Sequence, residues 1–441
     1  MMNVVGIIVA FLVMGVLIFV HELGHFLLAK LNGIGVEVFS IGFGKALIGF
    51  TIGETRYQIS LLPFGGYCKL KGENEEESKN DPRAMYNRPP YARLLTVLAG
   101  PLFNYLFALI VLTIIFFVGF KEKIISPYIE VIEKIDNKET PAYSAGLRNM
   151  DYIIAIDDKK VDNYADIPKF INLSKNEKIK ITFIRDNKTN EVYTKLSYDK
   201  NRGLSYIGVS PVYLPVVGEV VSNSPAEKIG LTIGDLIVSI DNYKINSYSD
   251  IAVAIKDKAL KEVDIVYKRK ENFYTNRVMI DRFEGRGFLG IYPASAITEE
   301  RHIKAKNFTS SIKMAQNNIN TMVMETIQSI SAMFKGRINA QKNLSGPLRI
   351  IGFTSEIAMN TDFITLLRFM SLISIALAFF NLLPIPGLDG SHVILNFIET
   401  ITPIRIPMKI RLSIEFAGLV VIIFLSVFVF LNDIINIFGG R

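Results

Sequence analysis

The chain has 441 residues, half of them hydrophobic, with 49 basic against 42 acidic side chains and one cysteine, Cys68. That balance describes a membrane protein with room for soluble domains, and a lone cysteine rules out a thiolate metal cluster. The net charge of +7 is not laid out as a basic stripe interleaved with aromatics, which argues against nucleic acid as a partner.

Four apolar segments, at about 4–29, 94–119, 364–383 and 413–432, are long enough to cross roughly 30 Å of hydrocarbon. The first carries an anomaly, "VLIFVHELGHFLLAK" at 16–30, with two histidines and a glutamate inside a spanning pattern. Each charged group placed deep in such a helix costs about 2.5–3.5 kcal/mol, so intramembrane ionisable residues are functional candidates. A cleaved signal peptide fits poorly, because "MMNVVG" has no basic start and no small-residue cleavage site precedes the polar group. His21 and His25 lie four apart and share one helix face, with Glu22 beside them. This is H-E-x-x-H, two zinc-binding imidazoles and a glutamate base on one helix. Gly24 keeps that helix face open for close packing. Zinc still needs a third protein ligand and an open position.

Next, "GIGVEVFSIGFGKALIGFTIGETRYQISLLPFGGYCKLKG" (33–72) alternates apolar and polar residues and reads as strands. It follows the histidines at once and must lie near them. The acidic run "ENEEESKND" (73–81) reads as a solvated loop. Apart from Asn104 in "AGPLFNYLF", the second span offers almost nothing polar. Basic residues collect between the first two spans and between the last two. By the positive-inside bias those loops are cytoplasmic, and both termini, with the segment of roughly 240 residues after the second span, lie outside.

That outer segment repeats itself. "TPAYSAGLRNMDYIIAIDDKKVDNYADI" (140–167) aligns without a gap on "SPAEKIGLTIGDLIVSIDNYKINSYSDI" (224–251). Each unit reads as a capped short helix, a Gly-Leu turn, an aspartate and an alternating strand. The pattern resembles circularly permuted bacterial PDZ domains, at 127–199 and 213–294. Met150 stands where the second copy has Gly234, so if that turn needs positive φ the first copy is strained or built differently. A helical amphipathic stretch is expected across 298–362. Finally "FFNLLPIPGLDGSHVIL" (379–395) breaks the third span with two prolines and a glycine, then presents Asp389 and His392. Broken backbone at membrane depth must line protein or a wet cavity. On chemistry alone, either Asp389 or His392 could complete the metal site.

The pair "HELGH" and "NLLPIPGLDG" resembles the site-2 protease family of intramembrane zinc metalloproteases, over essentially the whole chain, and tandem PDZ copies resemble its bacterial envelope-stress branch. The resemblance implies one catalytic zinc ion on His21, His25 and Asp389, Glu22 as base, and Asn381 as a substrate-contacting amide, with His392 left to support the ligands from behind or to packing. It implies a polytopic α-helical membrane protein with four transmembrane helices (1–30, 94–120, 363–390 and 413–434), a membrane-associated β-hairpin region on the cytoplasmic side (31–93) and two extracytoplasmic α+β PDZ domains. The location implied is the bacterial inner membrane, with termini and PDZ domains periplasmic and the active site toward the cytoplasm. Implied partners are the lipid bilayer, single-span substrates of the anti-sigma-factor type or remnant signal peptides, and a peptide or protein ligand of the PDZ domains. Two other classes compete: a divalent-metal transporter or sensor, and a non-catalytic PDZ membrane scaffold.

Overall fold

Up to Val20 the first helix, Val4–Leu31, is apolar on every side, the composition of a helix surrounded by lipid or by protein. Its buried residues Gly6, Ala10, Val13, Leu17, His21 and Gly24 recur every three or four positions, one face of a 3.6-residue period. Val4, Ile8, Leu12 and Val16 are exposed on the other side. The computed structural model describes residues 4–72, 81–135, 138–174, 176–199, 203–283, 285–336, 338–339 and 346–438. All of the acidic run but Asp81 lies outside the described residues.

The chain divides into two compact units: Met1–Phe120 with Ile303–Gln328 and Asn343–Arg441, and Lys121–His302 with Ser329–Lys342. In the first unit, three helices are long and apolar enough to cross a membrane among the described residues: Val4–Leu31, Pro90–Val118 and Phe363–Asn381. The fourth apolar segment lies within helix Met408–Phe438. The first two helices touch backbone to side: a Cβ added at Gly24 would stand 2.3 Å from the Ala99 carbonyl oxygen. Only glycine permits that approach. The second helix starts with Pro90 in its first turn and ends at Gly119, the placement that proline's missing N–H and glycine's free φ favour.

Between these helices, strands Val36–Ile52 and Thr55–Leu70 pair antiparallel. The register doubles back, so Phe39 partners both Cys68 and Tyr57 while Phe50 also faces Tyr57. Gly42, Gly44 and Gly65, at φ of 88°, 87° and 99°, mark the bends. One end packs in a core of Ala29, Ile34, Val36, Leu70, Met85 and Val97. The far end exposes Phe43, Leu47, Ile48, Phe50 and Ile52, an apolar patch of the kind that marks a membrane or partner surface. The third apolar helix ends at Asn381, and after the proline-rich turn helix Asp389–Ile401 begins.

In the second unit the repeat becomes two copies of one element order. Thr140 and Ser224 cap short helices Pro141–Ser144 and Pro225–Lys228. A strand, a helix and a two-stranded ribbon follow: Asp151–Ile156, Asp166–Leu173, Lys178–Arg185 and Lys188–Lys195 in the first copy. The second has Leu236–Ile240, Tyr248–Ile255, Glu262–Arg269 and Asn272–Met279. Each copy has its own core, around Ile153, Ile181 and Phe183 or Ile237, Ile265 and Tyr267. Each also clamps its turn with a buried aspartate held by arginine, Asp151 to Arg185 at 2.6 Å and Asp235 to Arg269 at 2.7 Å. Met150 takes φ 70° and Gly234 φ 94°. The turn is therefore the same in both copies, and the first holds a side chain in the left-handed region at a cost of about 1–2 kcal/mol.

One expectation needs correction. Residues 298–303 are not helical: Thr298–Ile303 is a strand paired with Phe120–Ile125. Its alternating half-exposed pattern suits a two-stranded ribbon. The helices of this stretch are Phe308–Phe334 and Pro347–Asn360.

Candidate active site

Helical spacing puts His21 and His25 on the face that packs against the second helix, and a glycine there makes room for them. A Cβ at Gly100 would lie 2.3 Å from His25 Nε2 and 2.8 Å from His21 Cε1. No other residue fits that position without displacing an imidazole. Four residues before it, the Thr96 carbonyl accepts from His25 Nδ1 at 2.9 Å. A carbonyl only accepts, so Nδ1 carries the proton and Nε2 presents its lone pair.

Asp389 arrives from the other end of the chain, on the first turn of its helix. The Nε2 atoms of His21 and His25 lie 3.1 Å apart, and Asp389 Oδ2 stands 3.0 Å and 3.5 Å from them. These three side chains form a possible metal-binding group among the described residues. Tetrahedral zinc with bonds of about 2.0–2.1 Å spaces its ligand atoms by about 3.3 Å. The observed triangle has that size. Asp389 Oδ2 is buried without a hydrogen bond of acceptable geometry among the described residues, an orphaned acceptor that a cation would satisfy. The donor set fits zinc, two imidazoles and a carboxylate with one side open.

Two cavities meet at the His21 corner of this triangle. One, of about 740 Å³, is walled by Phe11, Met14, Ile18, Phe43 and Leu377 and also reaches Asn381. The other, of about 340 Å³, is bordered by Tyr67, Tyr86, His392 and Glu415. His21 and Glu22 border both. His392 lies beside Glu415, at 3.7 Å, rather than in the triangle. The structure thus gathers His21, Glu22, His25 and Asp389, and puts Asn381 on the wall of the apolar cavity. Sequence reasoning passed over Gly100 and Thr96. Gly100 had a visible signal, a glycine inside a spanning helix, but Thr96 acts through its backbone and leaves no trace in residue identity.

The description of peptidase family M50 matches residues 9–425. A protein of Borreliella burgdorferi named "Putative zinc metalloprotease" is 31% identical over 97% of this chain and 98% of its own. The "Regulator of sigma E protease" of Haemophilus influenzae is 28% identical over 96% of this chain and 97% of its own. A solved PDZ domain from Listeria monocytogenes is 26% identical over 19% of this chain and 86% of its own, with a TM-score of 0.16. That last likeness is too slight to carry an argument.

Proposed function

Because the chain belongs to peptidase family M50 and is a zinc metalloprotease with membrane-crossing helices, we propose that it cleaves single-span membrane proteins inside the bilayer. The observation that carries this reading is the meeting of an apolar and a polar cavity at His21 and Glu22, beside the triangle that His21 makes with His25 and Asp389. His21, His25 and Asp389 hold one zinc ion. When bound, the ion polarises the scissile carbonyl and brings the pKa of water toward about 7. Glu22 takes the proton from water that enters by the polar cavity and later passes it to the leaving amine.

A transmembrane substrate is helical and hides its peptide bonds. It must be held extended, and bare backbone in lipid is costly. Phe43, Gly65 and Gly66 of the hairpin sheet border the apolar cavity, so a substrate strand there would exchange helical hydrogen bonds for ladder bonds. The Asn381 amide, on the same wall, takes one substrate carbonyl or N–H.

We read the chain as a bacterial inner-membrane protein with four spans, and the basic residues collected in the short loops support placing the site toward the cytoplasm and residues 127–294 outside. The two repeat copies read as PDZ domains that bind a peptide or screen out bulky external domains. Under screening, a folded, zinc-loaded protein lacking 127–294 accepts substrates with large external domains, and continued rejection removes that role. The relative named as a regulator of sigma E protease supports an anti-sigma-factor type of substrate. The test is cleavage of a single-span protein in proteoliposomes. Glu22→Gln should lower it by about 10²–10⁴ while zinc stays stoichiometric. Wild-type protein that moves zinc across the bilayer and cleaves nothing would give the site to a transporter.

A further inference from the structure

Asn104 is the one strongly polar side chain well inside the second helix, and it is fully buried. Its Nδ2 lies 3.4 Å from His21 Nδ1, while its Oδ1 has no partner among the described residues. The Ser374 hydroxyl donates to the Asn104 backbone carbonyl at 2.8 Å, fixing the main chain there against the third apolar helix. Thr96, Gly100 and Asn104 are spaced by four on one face of the second helix, opposite His25 and His21, spaced by four on the first. Thr96 sets His25 and Gly100 clears space for both rings, which leaves His21 to Asn104.

The chemistry allows Asn104 two states. If the NH₂ group donates to Nδ1 of His21, the ring proton sits on Nε2, pointing into the triangle, and His21 cannot ligate through that atom. If the amide is turned by half a rotation, Oδ1 accepts from Nδ1–H, the orphaned carbonyl is satisfied and Nε2 presents a lone pair. Oxygen and nitrogen exchange places with almost no change of shape. We infer that Asn104 is a positioning residue for the metal: through Oδ1 it holds His21 in the tautomer that ligates by Nε2, as the Thr96 carbonyl does for His25. This rests on the proposed zinc ligand set.

The experiment measures zinc affinity by chelator competition on purified full-length protein in detergent, with the unfolding midpoint of the metal-free protein in parallel. Asn104→Leu keeps the bulk and removes the acceptor, and should weaken zinc about 10–100-fold. Asn104→Asp keeps the acceptor and has no donor, and should restore affinity to the wild-type level or tighter. A role in packing alone would instead lower the metal-free unfolding midpoint of Asn104→Leu along with its zinc affinity. Wild-type affinity in a folded Asn104→Leu protein overturns the inference. So does an Asn104→Asp protein as weak as Asn104→Leu, or one that fails to fold, since no N–H then faces the carboxylate. If Asn104→Leu does not fold, the Asn104→Asp affinity decides alone. His21→Ala serves as the separate control: zinc retained there removes the ligand set itself, and the role of Asn104 with it.

Discussion

Two buried polar clusters stand in the same unit, and they differ in what they lack. His21, His25 and Asp389 turn acceptors toward one another, and the orphaned atom is a carboxylate oxygen. Arg93, Glu399 and Arg411 join the second helix to the two helices after the proline-rich turn, with Glu399 2.6 Å from Arg93 and 2.7 Å from Arg411. The Ile406 N–H adds a third bond to Glu399 at 2.7 Å. Its orphaned atoms are donors, Arg93 Nε and nearby Asn396 Nδ2. A cation would relieve the first cluster and be repelled by the second. Burial of charge alone does not separate a metal site from a structural ion cluster, but the sign of the unsatisfied atoms does.

The largest expected effect breaks the first cluster. His21→Ala, His25→Ala or Asp389→Ala should each lose zinc and cleavage together, because three protein ligands are what an open catalytic site normally keeps. Metal analysis of the purified variants checks this. Near-stoichiometric zinc in any one of them would remove that residue from the set.

Breaking the second cluster should cost stability instead of metal. Glu399→Gln leaves two buried guanidinium groups without their carboxylate, a loss of about 3–5 kcal/mol for a broken buried pair, while the folded fraction keeps its zinc. Burial opposes ionisation of Glu399, but hydrogen bonds from Arg411 and the Ile406 N–H, with both guanidinium charges, hold its carboxyl below the ordinary value of 4.5. A depressed folded-state value means the stabilisation is present above that ordinary value and is lost as pH falls through the folded one. The gap in unfolding midpoint between wild type and Glu399→Gln should therefore narrow in acid. A gap that stays constant with pH would show that Glu399 acts by shape.

His392 sharpens the contrast from the other side. It shares the polar cavity with Asp389 yet faces Glu415. His392→Ala should keep zinc and measurable cleavage, and loss of the metal there would hand the third ligand to His392.

The first cluster could be read in the sequence because its chemistry is local: two histidines and a glutamate within five residues of a helix, and an aspartate after a proline-rich break. The choice between Asp389 and His392 was not local, since both follow the same turn and only packing decides which faces the first helix. The second cluster escaped notice because its partners are 306 residues apart and each, taken alone, reads as a surface charge near a helix end. The turn before Asp151 was legible through the repeat: Gly234 in one copy flagged Met150 in the other, and both take positive φ. The strand at 298–303 was missed because six residues carry too little pattern to separate a ribbon from the start of an amphipathic helix.

The smallest effect tests what absorbs the excess charge of the second cluster. Two guanidinium groups face one carboxylate, which leaves one positive charge over. The Tyr86 ring lies 5.6 Å from the Arg93 guanidinium carbon and 5.3 Å from that of Arg411, within the range where a ring's negative face attracts a cation. Such contacts contribute about 0.5–2 kcal/mol according to their desolvation. Tyr86→Phe keeps the ring and should leave the unfolding midpoint nearly unchanged, whereas Tyr86→Leu fills similar space without a π face and should lower it. Neither should change zinc content, although Tyr86 borders the polar cavity. Equal losses in both variants would assign the effect to the hydroxyl, and the second cluster would then be held by hydrogen bonds rather than by its aromatic lid.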